Sequence, residues 1–290
     1  MASRSSSAWR AHVGAFAWPT LLLAGGVLLG EGVLWAALVA GVLPLWVGAI
    51  IATGLAYVAF TPMHDASHGA ISGGRRWAWV DTAVGHTMAA LFLAPFAVFR
   101  TLHLRHHGAT NHPERDPDHW VAANGSGLVH GVSVALRCAT ILPWYYRTLL
   151  VGAWGGDRAF RRALPGGIAA LGAMAAVAAA LVALGLGTEL VALWLLPGLV
   201  ASGMLAFAFD WLPHHPHGIQ KRYQDTRAID IPGLGLLLLG QNFHNIHHLY
   251  PKVPFYRYAT LFRELEPELE AQGTPIVRWG RWPHQETARA

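Results

Sequence analysis

Two long apolar blocks organise this chain. The first runs from about Val13 to Phe60 and carries one charge, Glu31; the second runs from about Ala163 to Phe209 and carries one charge, Glu189. Each block is long enough for two membrane spans of about 20 residues. The pattern predicts spans near 13–30, 42–61, 167–187 and 190–210. A carboxylate at the bilayer centre costs about 2.5 kcal/mol or more. Glu31 and Glu189 are therefore expected in the hairpin turns that join the spans of each block. The stretch 76–101 is apolar but broken by Asp81, His86 and Pro95, and reads as a helix at or dipping into the interface. The stretch 128–150, with Trp144, Tyr145, Tyr146 and Arg147, also reads as interfacial.

This arrangement makes a statement about charge. Every Lys and Arg falls in the N-terminal tail, in 64–162 or in 215–290, and the two opposite turns contain none. The positive-inside rule then puts both termini in the cytoplasm. Composition agrees with a membrane protein: 53% of the 290 residues are hydrophobic and only 13% charged, against about 25% charged in an ordinary soluble domain. No linker-like stretch divides the chain, so one integral-membrane domain over 1–290 is expected, with its core at 60–260. The apolar stretch behind the short polar N-terminus is longer than the core of a signal peptide and reads as a retained anchor. The 19 Arg against 2 Lys, with abundant Ala and Gly, suggest a GC-rich bacterial genome and hence the bacterial cytoplasmic membrane. The lone Cys138 excludes an internal disulfide and any Cys-rich cluster.

Three histidine clusters lie on the expected cytoplasmic side: His64-Asp-Ala-Ser-His68, His103-Leu-Arg-His106-His107 and His244-Asn-Ile-His247-His248. Residues three and four apart share a helix face, so each cluster can aim two or three rings at one point. Thr61-Pro62 is expected to start the first of these helices. Gly69 and Gly108 are expected to end the first two, and Pro251 to stop the third. A fifth span at 76–101 would send the first and second clusters to opposite faces, which disfavours it. Eight imidazoles are too many for one tetrahedral ion and suit two ions of higher coordination. Imidazole binds Zn, Cu, Fe and Ni. The zinc-protease pattern HExxH is absent, and two irons can bind and split O₂, which zinc cannot. Asp65, Asn111, Asp116, Asp118 and Asn245 are placed to accept the second ring N–H of the ligands.

Longer matches surround the clusters. His103–His119 reads HLRHHGATNHPERDPDH, Phe209–Pro216 reads FDWLPHHP, and Gly240–Tyr258 reads GQNFHNIHHLYPKVPFYRY. With the three boxes, these resemble the membrane fatty acid desaturase and hydroxylase superfamily of non-haem diiron enzymes. Within it they are most similar to the desaturase-like bacterial β-carotene hydroxylases. The resemblance implies an all-α membrane fold: about four transmembrane helices in two hairpins, interfacial helices, and a cytoplasmic cap carrying a histidine-rich diiron site. It also implies two iron ions held by His64, His68, His103, His106, His107, His244, His247 and His248, with O₂ as co-substrate. A further ligand is expected ahead of the last box: His214, with the adjacent His215 as the alternative. His86 matches the pattern without an assigned role, and His12, His130 and His284 match no box.

The implied activity is hydroxylation of the β-ionone ring of a carotenoid, toward zeaxanthin. The lipophilic substrate would enter from the bilayer. No electron-transfer domain is fused, so an external, ferredoxin-like donor is implied. The net charge of +5 could steer an acidic carrier, and serves anionic lipid equally well. Nucleic acid is not an expected partner, because the basic residues are dispersed. The alternatives are a fatty acyl desaturase or hydroxylase with the same site, a carotene ketolase, and, more remotely, a non-catalytic metal-binding membrane protein.

Overall fold

The computed structural model describes residues 7–123 and 125–280. Helices α1 (Trp18–Val39) and α2 (Leu45–Ser67) form the first hairpin. Their turn is set by Gly41, at φ +70°, and by Pro44 at the start of α2. Glu31 does not mark this turn. It lies inside α1, half-buried and hydrogen-bonded to Trp35 one turn on. Gly30 and Gly32 flank Glu31 but keep helical backbone, whereas Gly41 takes a left-handed conformation and Pro44 starts the next helix. Thr61 and Pro62 likewise lie inside α2 rather than opening a new helix. Their neighbours Ala59, Phe60 and Met63 are buried in the core and carry the helix through the proline. His64 and His68 thus stand at the end of a continuous span.

Helix α3 (Ala78–Leu91) meets α4 (Phe96–Ala109) at a bend of 100°. The bend brings the second histidine cluster beside the first, which a straight span over 76–101 would not do. The two helices cross closely: a Cβ at Gly85 would lie 2.3 Å from Phe96 Cζ. Gly108 does not end α4, which runs on to Ala109. The left-handed position falls at Asn111 (φ +61°), a residue type that tolerates it. The Asn111 amide donates to the carbonyls of Ile219 (2.8 Å) and Asp225 (2.7 Å). Helices α5 (Gly127–Ala139) and α6 (Ile141–Trp154) form a second bent pair, at 62°.

Helices α7 (Arg158–Ala183) and α8 (Gly187–His214) complete four helices, among the described residues, that are long and apolar enough to cross a membrane. Glu189 sits in the first turn of α8, close to the expected turn. Many large apolar residues on these helices face outward, such as Leu22, Ile50, Ile168 and Leu199, as a lipid-facing surface requires. Helix α8 widens to π-type turns at Val191–Leu195 and Ala206–Trp211. The second precedes Pro213, which has no N–H to offer the Phe209 carbonyl. Such wide turns recur at functional sites, and this one leads directly into His214.

Beyond the spans lies a cap. It holds strand β1 (Ala228–Asp230), helices α9 (His244–Leu249) and α10 (Tyr258–Ala271), and strand β2 (Ile276–Arg278), parallel to β1. Among the described residues these two short strands are the only β-structure. Tyr258, Leu261, Phe262, Leu265 and Leu269 of α10 form the cap's own core with Ile246 of α9. Trp9 stacks on Tyr250 (5.7 Å) and His12 pairs with Glu264 (2.9 Å), tying the N-terminal segment to the cap. A separate core of Phe60, Met63, Met88, Phe92, Phe99 and Phe209 fills the space between the spans.

Candidate metal centre

Nine histidines converge where α2, α4, α8 and α9 meet. Ligand nitrogens of His64, His68, His103 and His247 lie within 4.8 Å of one another and make group A. Those of His106, His214, His244 and His248 do the same and make group B. His107 lies between: its Nε2 is 2.8 Å from His247 Nε2, and it also forms a group with His247 and His248. Two ligands on opposite sides of one ion stand about 4.2 Å apart, twice a metal–nitrogen bond of about 2.1 Å. Each group therefore has the dimensions of one coordination sphere.

The boxes do not each serve one point. His103 belongs to group A and His106 to group B; His247 belongs to A, while His244 and His248 belong to B. Of the three boxes only the first, His64 and His68, keeps wholly to one group. The structure brings in His214 from the end of α8, 3% exposed. His215 turns away to pack on Trp211 (4.8 Å) and His130 (6.1 Å).

Hydrogen bonding alone cannot account for this packing. Nε2 atoms form a chain from His68 to His103 (2.8 Å), His103 to His107 (3.2 Å) and His107 to His247 (2.8 Å). A neutral imidazole nitrogen either carries one hydrogen or offers one lone pair. At most two of these three contacts can then be hydrogen bonds. His64 Nε2, both nitrogens of His214 and His244 Nδ1 are buried with no partner, an expensive arrangement unless something else satisfies them. Burial also pushes His244, His247 and His248 well below the usual imidazole range, so they are neutral at pH 7 with lone pairs free. Cations between the rings resolve all three observations, and the donor set fits them.

The second ring nitrogens are held from behind. His106 Nδ1 is 2.8 Å from Asp116 Oδ1 and 3.4 Å from Asp118 Oδ2. Asp116 also accepts from the backbone N–H groups of Asn111 (2.7 Å) and Asp118 (2.9 Å). Burial lifts the Asp118 carboxyl to about 6, against the pull of His106, and Tyr145 donates its hydroxyl to it. Asp65, Asn111 and Asn245, expected in the same role, do other things. Asp65 turns its carboxylate away from the rings, accepting from Thr20 (2.8 Å) and the Phe255 N–H (3.3 Å). Asn111 holds the two carbonyls noted above. The buried Asn245 amide has no partner among the described residues.

Three partners were not foreseen: Gln241 beside His64 Nδ1 (3.3 Å), Tyr258 beside His247 Nδ1 (3.1 Å) and Thr110 beside His248 Nδ1 (3.4 Å). Local spacing does not reveal them: Gln241 serves a ring 177 positions away and Thr110 one 138 positions away. His86 lies outside both groups, exposed, with its ring on Phe96. His12 and His130 are also outside, and His284 falls outside the described residues.

Two cavities reach the rings. A narrow apolar slot between α2, α4, α6 and α8 is walled by Phe60, Phe92, Phe99, Leu142, Leu205 and Phe209, and ends on His64, His103, His106 and His244. Asp118, Tyr145, Ser202 and Asp210 add polar points along it. A second, wider cavity touches only His68 among the nine and carries Asp81, Arg75, Arg100 and Lys252 along its lining.

The fold and the centre define a class: a helical membrane protein that closes one end of its spans over a paired histidine site. Residues 40–280 match the fatty acid desaturase family, and the chain belongs to it. It is accordingly an enzyme, an oxidoreductase. It is 29% identical to the beta-carotene ketolase of Paracoccus sp. (strain N81106 / MBIC 01143) over 208 residues, 68% of this chain and 71% of that protein. It is 35% identical to the Delta(12) fatty acid desaturase fat-2 of Caenorhabditis elegans over 77 residues, 26% of this chain and 19% of that protein.

Proposed function

We propose that this enzyme hydroxylates the β-ionone ring of a carotenoid, using O₂ and two iron ions held by the nine histidines. The observation that carries the reading is the apolar slot ending on four rings of the two groups. A slot walled by Phe and Leu suits a hydrocarbon and offers little to a charged or sugar-like substrate. It lies among the helices able to span a membrane, which supports entry of a bilayer-dissolved molecule; its open volume of about 40 Å³ means that the walling side chains must part to admit a ring.

His64, His68, His103 and His247 would hold one ion, His106, His214, His244 and His248 the other, with His107 able to serve either. Two ferrous ions so held supply the activation of O₂ needed to oxidise an unactivated C–H bond. The protein's own part is positional. Asp116 and Asp118 fix the ring of His106, and Tyr258 and Thr110 hold those of His247 and His248. Phe60, Phe99 and Phe209 set which carbon of the substrate faces the centre and keep water out. Electrons come from a separate carrier, for which a ferredoxin-like protein is the proposed donor. The charge distribution supports a cytoplasmic location for the centre and both termini, in a bacterial cytoplasmic membrane.

The hydroxylase reading draws on the sequence elements around the boxes. The similarity to a beta-carotene ketolase supports a second reading, oxidation of the same ring to a ketone. Expression in a bacterium that accumulates β-carotene separates them. Mono- and dihydroxy-carotenes are expected, whereas keto-carotenes would establish the second reading. Altered fatty acids with unchanged carotene would refute both. Active protein containing zinc and no iron would refute the metal assignment.

A further inference from the structure

We infer that Gln241 selects the ring tautomer of His64 and so controls whether that imidazole can serve group A; the inference rests on the two-ion reading above. Gln241 lies in the 3₁₀ turn Gln241–Phe243 just ahead of α9, 1% exposed. Its amide nitrogen is 3.3 Å from His64 Nδ1. Gln241 Oε1 and His64 Nε2 are both buried without partners. This pairing can be made in two ways with the same heavy-atom positions.

In the first, the amide N–H donates to Nδ1. The ring proton then sits on Nε2, the nitrogen aimed at His247 and His103, whose rings are 4.1 and 4.7 Å away. That nitrogen has no lone pair for a cation. In the second, the amide is turned end for end. Nδ1–H donates to Oε1, and the Nε2 lone pair points into group A. An ion in group A is compatible only with the second state. Loading and amide orientation are therefore linked.

The contrast with group B sharpens the point. His106 faces the Asp116 carboxylate at 2.8 Å, which can only accept, so its ring is locked in one tautomer. His64 faces an amide that can do either. The His64 tautomer thus turns with the Gln241 amide, a freedom that the Asp116 carboxylate denies His106.

Metal retention tests this without reference to turnover. Purified protein loaded with iron is dialysed against a graded chelator, and bound iron is counted and followed by Mössbauer spectroscopy. In the wild type, two ions are expected. Gln241→Met, similar in length but unable to accept strongly, should weaken the group A ion about 10- to 100-fold and leave the other in place, which also reports that the variant has folded. Gln241→Glu, an acceptor only, should hold it at least as tightly as the wild type. Equal losses in Met and Glu variants, or no loss in Gln241→Met, would overturn the inference. Fewer than two ions in the wild type would instead refute the two-ion reading, and the inference with it.

Discussion

Replacing Asp116 by alanine separates the centre's supports from its ligands. Asp116 is 6% exposed and accepts three hydrogen bonds: from His106 Nδ1, from the Asn111 N–H and from the Asp118 N–H. Alanine strands all three donors in a buried place. Each unsatisfied donor costs about 1–3 kcal/mol, and removing one partner of a buried charged pair costs about 3–5 kcal/mol. Some relaxation is expected, so the loss of stability should be about 3–5 kcal/mol. The freed His106 ring also loses its fixed tautomer, which should weaken metal binding about 10- to 100-fold. Asparagine is the informative comparison. Oδ1 takes two of the donors and Oδ2 one. An amide oxygen can keep the first two and turn its NH₂ toward Asn111, losing about 1–3 kcal/mol with metal affinity nearly intact. Thermal unfolding in detergent and iron retained against chelator measure the two quantities separately. An alanine variant that is destabilised yet holds both ions as tightly as the wild type would refute the role given to Asp116.

Three other changes probe other parts of the molecule. Asp65→Ala should cost about 1–3 kcal/mol, because it unties Thr20 of α1 and the Phe255 N–H from α2; both ions should stay bound, and loss of either would return Asp65 to the metal site. Leu205→Trp fills the slot and should lower turnover of a long, rigid substrate while iron content stays at the wild-type level; unchanged turnover would place the substrate elsewhere. Single cysteines at Ala40 and Lys221, in a background without Cys138, should be labelled by a membrane-impermeant reagent from opposite faces; labelling from one face would refute the topology drawn from the Lys and Arg distribution.

The sequence carried the histidines because helical spacing is local and survives without knowing the fold. It carried four helices able to span because apolar length is also local. It misplaced Glu31, since the cost of a buried carboxylate was weighed without knowing that Trp35 would pair with it and that Gly41 and Pro44 would make the turn. It preferred His214 but left His215 open, because the order of two adjacent residues does not say which ring faces the centre. Asp65 was misread for a related reason. It neighbours His64 in sequence, but its carboxylate points to α1, and adjacency along a helix means divergence in space. Gln241, Tyr258 and Thr110 escaped because their partners are set by tertiary packing.

The division of the boxes between two groups follows from helix geometry. Successive residues turn by about 100°, so i and i+4 diverge by about 40° and i+3 and i+4 by about 100°. The pair at i and i+4 should keep one side and the ring at i+3 should cross. His64 and His68 keep to group A. His103 stays with His107 (Nε2 atoms 3.2 Å apart) while His106 crosses to B. His244 and His248 keep to B (3.1 Å) while His247 crosses to A. The crossings run in opposite directions on α4 and α9, so each helix contributes to both groups and neither group can form without both. An HxxHH box is thus a device for linking two sites, and HxxxH a device for serving one. Losing His64 or His68 should damage group A alone, and losing His214 group B alone, whereas displacing α9 should cost both ions together.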